Sequence, residues 1–256
     1  MFGGVGISSV PTGVLDDAPR DFVIVEDSSD PTGYDPRMLR TEIDAVLVEV
    51  LQDRRLLAHP FYRRWEAGTL ERGELAAYAA QYRHFEAVLP DVLERVVGRI
   101  DDPTARRLVQ ANLDDELGVP APHLELFDGF ADAVGAPAAA DASPATAVLV
   151  SLYTAVADES PVAALASLAA YEVQAAEIAG SKAEGLRLRY GVTDEGARFW
   201  DVHSGVDEVH GTWIVDALAA VAADSDEVRH AASAAASAWW AFLDERQAQA
   251  PVALPC

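Results

Sequence analysis

HSGVDEVH, residues 203–210, is the stretch of sequence that most constrains the fold. At about 100° per residue, positions i, i+4 and i+7 of an α-helix fall within about 60° of one another, so His203, Asp207 and His210 share one helix face. Aromatic residues surround that face: Phe199, Trp200 and Trp213. Two imidazoles and a carboxylate on an inward face are costly unless something compensates them. A metal ion does so, and this donor set suits non-haem iron; the alternative is a solvated polar face with a hydrogen-bonded histidine.

Two further segments carry candidate ligands. Glu116 and His123 are seven residues apart and would share a face of an uninterrupted helix, but Pro120 and Pro122 interrupt it. A kinked helix can still point both inward; the alternative is that Glu116 ends an acidic run facing water. Glu172 stands among small and apolar residues in mid-helix, either buried with a partner or at an ordinary exposed position. Together the segments offer three carboxylates and three imidazoles on three helices, as di-metal sites in bundles do.

Helical periodicity dominates the chain from Asp35 onward, where apolar residues recur at every third and fourth position. Ser160-Pro161 places a capping side chain before a proline at the first helical position, and Gly191 closes that helix. The sequence therefore predicts an all-α fold, a single bundle of seven or eight helices over residues 36–250. The predicted ranges are 36–57, 70–99, 103–118, 122–134, 142–157, 161–190, 194–223 and 226–248.

Composition limits the partners of the protein. Its 256 residues include 42 acidic and 19 basic side chains, a net charge of −23, so we expect neither nucleic acid nor a membrane as partner. The start of the chain lacks a basic segment followed by an apolar run, which predicts a cytoplasmic protein. Its one cysteine, Cys256, excludes disulfides within the chain. Residues 1–35 are rich in Gly, Pro, Ser and Asp and are predicted to form a mobile N-terminal arm.

The order Glu-x6-His, Glu, His-x3-Asp-x2-His resembles that of the haem-oxygenase-like diiron oxidases and oxygenases, which share their helical scaffold with the TenA and PqqC proteins. The resemblance includes HPFYRRW at 59–65, NLDDELG at 112–118 and YEVQ at 171–174, and it covers roughly residues 36–247. It implies a haem-oxygenase-like bundle with two Fe(II) ions and O2 as co-substrate. It also implies six iron ligands: Glu116, His123, Glu172, His203, Asp207 and His210.

Within this family the chain is similar to the chlamydial self-sacrificing para-aminobenzoate synthases, which are thought to consume a tyrosine ring and a lysine amine of their own. Tyr62 precedes Glu116 by 54 residues and falls at the matching tyrosine. Lys182 follows Glu172 by ten residues and falls at the matching lysine; it is the only lysine in the chain. The alternatives are a structural tyrosine and a solvated helix lysine.

The predicted function is that of an O2-activating non-haem diiron enzyme acting on a small amine, amino acid or related metabolite by N-oxygenation, desaturation or C–C cleavage. One alternative is a self-sacrificing para-aminobenzoate synthase that uses Tyr62 and Lys182; another, of a different class, is a non-catalytic helical binding protein. The expected partners are a small-molecule substrate, an electron donor and a second copy in a homodimer. Six aromatic residues are expected to line the pocket, with core packing as the alternative for each: Tyr78, Tyr82, Phe85, Tyr171, Trp200 and Trp213.

Overall fold

The computed structural model describes residues 37–118, 121–222 and 224–249, and these segments form nine α-helices and no strand. α1 spans Arg40–Leu51 and is followed by a 3-10 turn at Leu56–Ala58. The other helices are α2 Pro60–Ala67, α3 Arg72–Arg99, α4 Pro103–Glu116, α5 His123–Val134, α6 Pro144–Glu159, α7 Pro161–Tyr190, α8 Arg198–Val221 and α9 Ser225–Ala248. The predicted all-α bundle is confirmed: each predicted range corresponds to one helix, and α2 is an additional short one. The predicted N-terminal arm, residues 1–35, lies outside the described residues.

Local capping explains where the helices begin and end. The Ser160 side chain accepts a hydrogen bond from the Ala163 N–H at the start of α7, and Gly191 ends that helix in the left-handed region with a φ of 64°. α2 begins differently, because the capping side chain is an imidazole. His59 Nδ1 accepts the Phe61 N–H at 3.1 Å, immediately before a proline at the first helical position. A histidine cap is unusual, and this short helix was not predicted from the sequence.

α7 runs through the middle of the bundle and packs against α8 and α9. More than half of its buried positions are alanine, serine or glycine, which lets neighbouring backbones come close. Glycines mark two close approaches: a Cβ on Gly185 would lie 2.8 Å from Trp65 Cδ1, and a Cβ on Gly211 of α8 would lie 3.0 Å from the Glu172 carbonyl oxygen. The helix that carries Glu172 is therefore held tightly against the helix that carries the histidine face.

α7 is also, within the described segments, the one helix long and apolar enough to cross a bilayer by composition. In the structure, 72% of its apolar window is buried inside the protein. Its hydropathy is thus accounted for by its place in the core of the bundle.

Aromatic side chains fill the space between α3, α5, α8 and α9. The Tyr82 ring stacks on Phe127 with centroids 5.3 Å apart and packs against Trp239 at 5.5 Å. Phe85, one turn further along α3, meets Trp239 edge-on at 4.8 Å. Each buried aromatic ring of this kind contributes roughly 1.5–3 kcal/mol of hydrophobic stabilisation. These apolar surroundings raise the free-energy cost of keeping a charge on any ionisable group inside them.

Candidate metal centre

The predicted ligands meet in two groups of three, and all of them are buried. The first triad consists of Glu116, His123 and His203, and the second of Glu172, Asp207 and His210. Within each triad, the donor atoms lie within 4.8 Å of one another. Every residue predicted as a ligand from the sequence is therefore placed beside two others, although α4, α5, α7 and α8 all contribute.

The first triad forms where two helix ends face α8. α4 ends at Glu116 and α5 begins at His123, so these two residues stand on separate helices. His123 Nδ1 lies 3.0 Å from Glu116 Oε2 but has no aligned hydrogen bond. The His203 ring lies 4.4 Å from the His123 ring and donates its Nδ1–H to the Phe199 carbonyl oxygen at 2.8 Å. That bond leaves Nε2 of His203 with a free lone pair.

The second triad is oriented from outside by a carboxylate that the sequence analysis did not single out. His210 Nε2–H donates to Asp115 Oδ2 at 3.1 Å, across the contact between α8 and α4. Its other nitrogen, Nδ1, is buried without a hydrogen bond, 3.8 Å from Asp207 Oδ1. Outer carboxylates of this kind set the tautomer and the ring orientation of metal-binding histidines. Asp115 belongs to the acidic run before α5, and its side chain is 48% exposed, so it touches both water and the buried ring.

Electrostatics differ between the two triads. Burial alone would raise the pKa of Glu116, but the His123 ring beside it lowers that pKa below its ordinary value. Burial lowers the pKa of His203 to about 3, against the opposing charge of Glu116. In the second triad, burial raises the pKa of Glu172 to about 7, with His210 opposing. Burial and the charge of Glu172 raise the pKa of Asp207 well above its ordinary value.

The donor set fits bound transition-metal ions. Two buried imidazole nitrogens, His123 Nδ1 and His210 Nδ1, have no hydrogen-bond partner, and an unpaired buried polar atom is costly. Three carboxylates share the same apolar surroundings, which favours protons or cations on them. Mixed imidazole and carboxylate donors suit iron among the first-row metals. A metal ion at each triad would satisfy both the free nitrogens and the crowded carboxylates.

A lysine stands in an aromatic cage beside this centre. Lys182 is 1% exposed, and its Nζ donates to Tyr78 Oη at 2.5 Å. The same Nζ lies 4.6 Å from the ring centroid of Tyr62, 5.0 Å from that of Tyr82 and 3.9 Å from that of Trp200. We call the four aromatic residues Tyr62, Tyr78, Tyr82 and Trp200 the lysine cage. Burial lowers the pKa of Lys182 well below its ordinary value, with Glu86 and Asp207 opposing. An amine whose neutral form is favoured by burial is therefore held over the Tyr62 ring.

The phenols of the cage are linked by hydrogen bonds. The Tyr62 and Tyr78 hydroxyls are 2.9 Å apart, and the Tyr82 and Tyr171 hydroxyls are 2.5 Å apart. Burial raises the pKa of Tyr62 above its ordinary value, so its phenol stays protonated. The second pair joins Tyr82 of the cage to Tyr171, the residue that directly precedes Glu172 in α7.

The remaining residues predicted to line a pocket lie around the edge of the site. Phe85 packs against Tyr153 with ring centroids 5.0 Å apart, and Tyr171 stacks on Trp239 at 4.5 Å. Trp213 is partly buried, with its ring 5.7 Å from that of His210. These contacts pack the core, and a pocket-lining role for the six aromatic residues stays a prediction.

Glu86 is the second acidic side chain that the sequence analysis did not select. It is 4% exposed, and its Oε2 atom has no hydrogen-bond partner. Burial, together with the charges of Glu116 and Glu172, raises its pKa well above the ordinary value. The signal was present in the sequence: Tyr82, Phe85, Glu86 and Leu89 follow the i, i+3, i+4, i+7 spacing of an inward helix face.

Comparisons with known proteins show the family to which the chain is related. A family model described as "Iron-containing redox enzyme" matches residues 76–242. A 4-aminobenzoate synthase of Nitrosomonas europaea is 36% identical over 213 residues, which cover 76% of this chain and 87% of that protein. A 4-aminobenzoate synthase of Chlamydia pneumoniae is 32% identical over 173 residues, which cover 65% of this chain and 77% of that protein.

Solved structures show the same fold at low sequence identity. A CADD-like protein of unknown function from Nostoc punctiforme superposes with a TM-score of 0.68 at 18% identity and covers 82% of this chain and 98% of its own. A TenA homologue from Pseudomonas syringae gives a TM-score of 0.67 at 13% identity and covers 81% of this chain and 90% of its own.

Proposed function

The chain belongs to the iron-containing redox enzymes built on the haem-oxygenase-like fold, and from that membership we propose that it makes 4-aminobenzoate from two of its own side chains, Tyr62 and Lys182. The observation that carries the proposal is the position of the Lys182 amine, 4.6 Å from the centre of the Tyr62 ring, with both side chains buried. The relatives named 4-aminobenzoate synthase support the identity of the product.

The atoms of the product match the two donors. 4-Aminobenzoate consists of a benzene ring with a carboxylate and an amine in para positions. The Tyr62 side chain holds the same ring with Cβ and a hydroxyl in para positions. Cleavage of the Cα–Cβ bond leaves a glycine in the chain, and Cβ is oxidised to a carboxylate. The Lys182 nitrogen replaces the phenol oxygen, which leaves as water, and the Nζ–Cε bond of Lys182 then breaks as Cε is oxidised to an aldehyde. The oxidation of Cβ and Cε needs an oxidant, for which we propose O2, which is reduced to water.

We propose two Fe(II) ions, one at each triad, as the cofactor of this reaction. When bound there, iron supplies the redox chemistry by which O2 oxidises an unreactive carbon. The proposal is supported by the two buried imidazole nitrogens without partners and by the carboxylates of Glu116, Glu172 and Asp207. The six triad residues would hold the ions.

The residues of the cage have separate tasks. Burial lowers the pKa of Lys182, which favours the neutral amine, whose lone pair can attack a ring carbon. Tyr78 Oη accepts a hydrogen bond from Nζ and fixes the direction of the amine. Because Tyr62, Tyr78 and Trp200 are each almost fully buried, bulk water is kept from the same ring carbon.

Isotope labelling tests the proposal with little ambiguity, since ε-15N-lysine labels a single side-chain amine in the whole chain. The protein would be made in a lysine and tyrosine auxotroph with ε-15N-lysine and ring-13C-tyrosine, loaded with Fe(II) without oxygen, and then exposed to O2 and a reductant. We expect released 4-aminobenzoate to carry both labels. Mass analysis of the tryptic peptide with Tyr62 should show loss of its side chain.

Two variants control this experiment. Tyr62→Phe should release no 4-aminobenzoate. Tyr190→Phe should release as much as the wild type, because the Tyr190 hydroxyl bonds to the carbonyl oxygen of Trp65, outside the cage. If unlabelled 4-aminobenzoate forms, or if an added amine is oxidised while Tyr62 and Lys182 stay intact, the enzyme acts on an external substrate and the proposal is wrong.

Partners and location complete the proposal. We propose that an external electron donor restores Fe(II), because a chain with ferric iron needs reduction before it meets O2. We also propose a cytoplasmic location. A homodimer stays a prediction.

A further inference from the structure

We infer that Glu86 is a fourth carboxylate of the metal centre and supplies an oxygen to bound iron in addition to the six triad residues. This inference rests on the proposed function, because it needs iron at the triads. It concerns a residue of α3, a helix to which the sequence analysis assigned no ligand.

Two buried glutamates on α3 show what is unusual about Glu86. Glu74 is 8% exposed, and its carboxylate accepts two hydrogen bonds from Arg64, at 2.7 Å each, and one from the Glu71 N–H at 2.8 Å. Glu86 is 4% exposed. The Tyr82 side chain lowers the pKa of its carboxyl group, against the effect of burial, yet the Oε2 atom of Glu86 has no hydrogen-bond partner. The same helix thus carries one satisfied buried acid and one with a free oxygen.

The surroundings of Glu86 leave a metal ion as the partner for that oxygen. The charges of Glu116 and Glu172, one from each triad, act on its carboxyl group. Tyr82, one turn earlier on α3, shares a hydrogen bond with Tyr171, the residue next to Glu172. The Lys182 amine also acts on Glu86, but its Nζ donates to Tyr78. An unpaired buried carboxylate facing two others is strongly unfavourable without a cation.

The charge balance of the loaded site gives an independent reason. Two ferrous ions bring four positive charges, and the triads bring three carboxylates, Glu116, Glu172 and Asp207, which leaves one positive charge in an apolar core. A carboxylate from Glu86 brings the site to neutrality. Di-iron sites in helical bundles reach the same balance with four carboxylates and two histidines.

The test measures metal binding rather than turnover. The full-length wild type, Glu86→Gln and Glu74→Gln would be titrated with Fe(II) without oxygen, and the 57Fe-loaded proteins would be compared by Mössbauer spectroscopy. We expect Glu86→Gln to bind at least one iron on the order of 10- to 100-fold more weakly and to change the spectrum of the diferrous protein. Glu74→Gln is the control, because it removes a buried carboxylate that is paired with Arg64 and not with a triad residue. We expect this variant to bind two irons like the wild type.

The outcomes separate this inference from the proposed function. A wild type that binds no iron contradicts the proposed function itself. A wild type with two irons, together with Glu86→Gln of equal affinity and identical spectrum, overturns the role of Glu86 alone. If circular dichroism shows that Glu86→Gln is unfolded, Glu86→Asp replaces it. That variant keeps the charge on a shorter side chain, so a ligand role predicts an altered Mössbauer spectrum, and an unaltered one overturns the inference.

Discussion

The two triads hold the same kinds of atoms but are prepared for metal in different ways. In the first, one carboxylate faces two imidazoles, and the contact between Glu116 and His123 keeps the carboxylate ionised. In the second, two carboxylates face one imidazole, and burial raises the pKa of Glu172 to about 7. The second triad also depends on Asp115 to orient its histidine. The lowered pKa of Glu116 therefore favours metal binding at the first triad, whereas the raised pKa values of Glu172 and Asp207 mean that metal binding at the second competes with protons.

The largest effect is expected from His210→Ala, which removes the only imidazole of the second triad. We expect the variant to bind one iron per chain, at the first triad, and to lose the other, because two carboxylates without the ring are left as ligands. Anaerobic Fe(II) titration followed by metal analysis measures this. His230→Ala, which changes an exposed histidine of α9, is the control. Two irons bound to His210→Ala would falsify the assignment of the second triad.

Asp115→Asn tests how much the outer carboxylate contributes to metal binding at the second triad. The amide can still accept a hydrogen bond from His210 but carries no charge, so we expect iron at the second triad to bind on the order of 10- to 100-fold more weakly. Binding at the first triad should stay unchanged. Asp114→Asn is the matched control, since the Asp114 side chain is exposed and accepts a hydrogen bond from Gln110. Equal losses at both triads would mean that Asp115 acts on the whole site.

Gly211→Ala tests the helix contact that holds the second triad together. The added Cβ would lie 3.0 Å from the Glu172 carbonyl oxygen, so α7 and α8 must separate slightly. We expect a loss of about 1–3 kcal/mol in the free energy of unfolding, measured by urea denaturation of the metal-free protein. Gly205→Ala, on the same helix with open space around its Cα, should instead gain roughly 0.5–1 kcal/mol from helix propensity. Opposite signs for the two variants support the contact, and equal signs contradict it.

The smallest effect concerns pH. The folded-state pKa of Glu172 is raised to about 7 from an unfolded value of 4.5. Its contribution to stability is therefore full below the unfolded pKa and is lost as the pH rises through about 7. In the metal-free protein, we expect the advantage of the wild type over Glu172→Gln to fall by on the order of 1 kcal/mol between mildly acidic and mildly alkaline pH. Urea unfolding of both proteins across that range checks this, and a constant difference would contradict it.

Helical periodicity explains why much of the site could be predicted. His203, Asp207 and His210 lie on one helix, so their common face follows from the geometry of a single segment. Glu172 could be placed by its apolar neighbours, and the caps at Ser160 and Gly191 located the ends of its helix. The bundle itself follows from the same local signals, because each amphipathic helix needs a partner for its apolar face.

Contacts between helices could not be predicted in this way. Asp115 meets His210 only because α4 crosses α8, and nothing in its own segment separates it from a solvated acid. The sequence could not tell that Gly211 serves the approach of two backbones. The burial of Glu86 could have been predicted, since it lies among apolar residues of its helix as Glu172 does. An acidic residue beside a row of aromatic residues, however, can equally lie at the edge of the apolar helix face, where it is exposed to water.

The solitary lysine has a practical consequence for anyone who studies this protein. Arginine supplies the other 18 basic side chains, and Lys182 is 1% exposed. Reagents that acylate amines but spare guanidinium groups should thus find no lysine to modify in the folded bundle, leaving the α-amino group aside. As soon as α7 loosens from α8, one new site reacts. The rate at which that single amide forms would time the opening of the core at one defined residue, without any engineered probe.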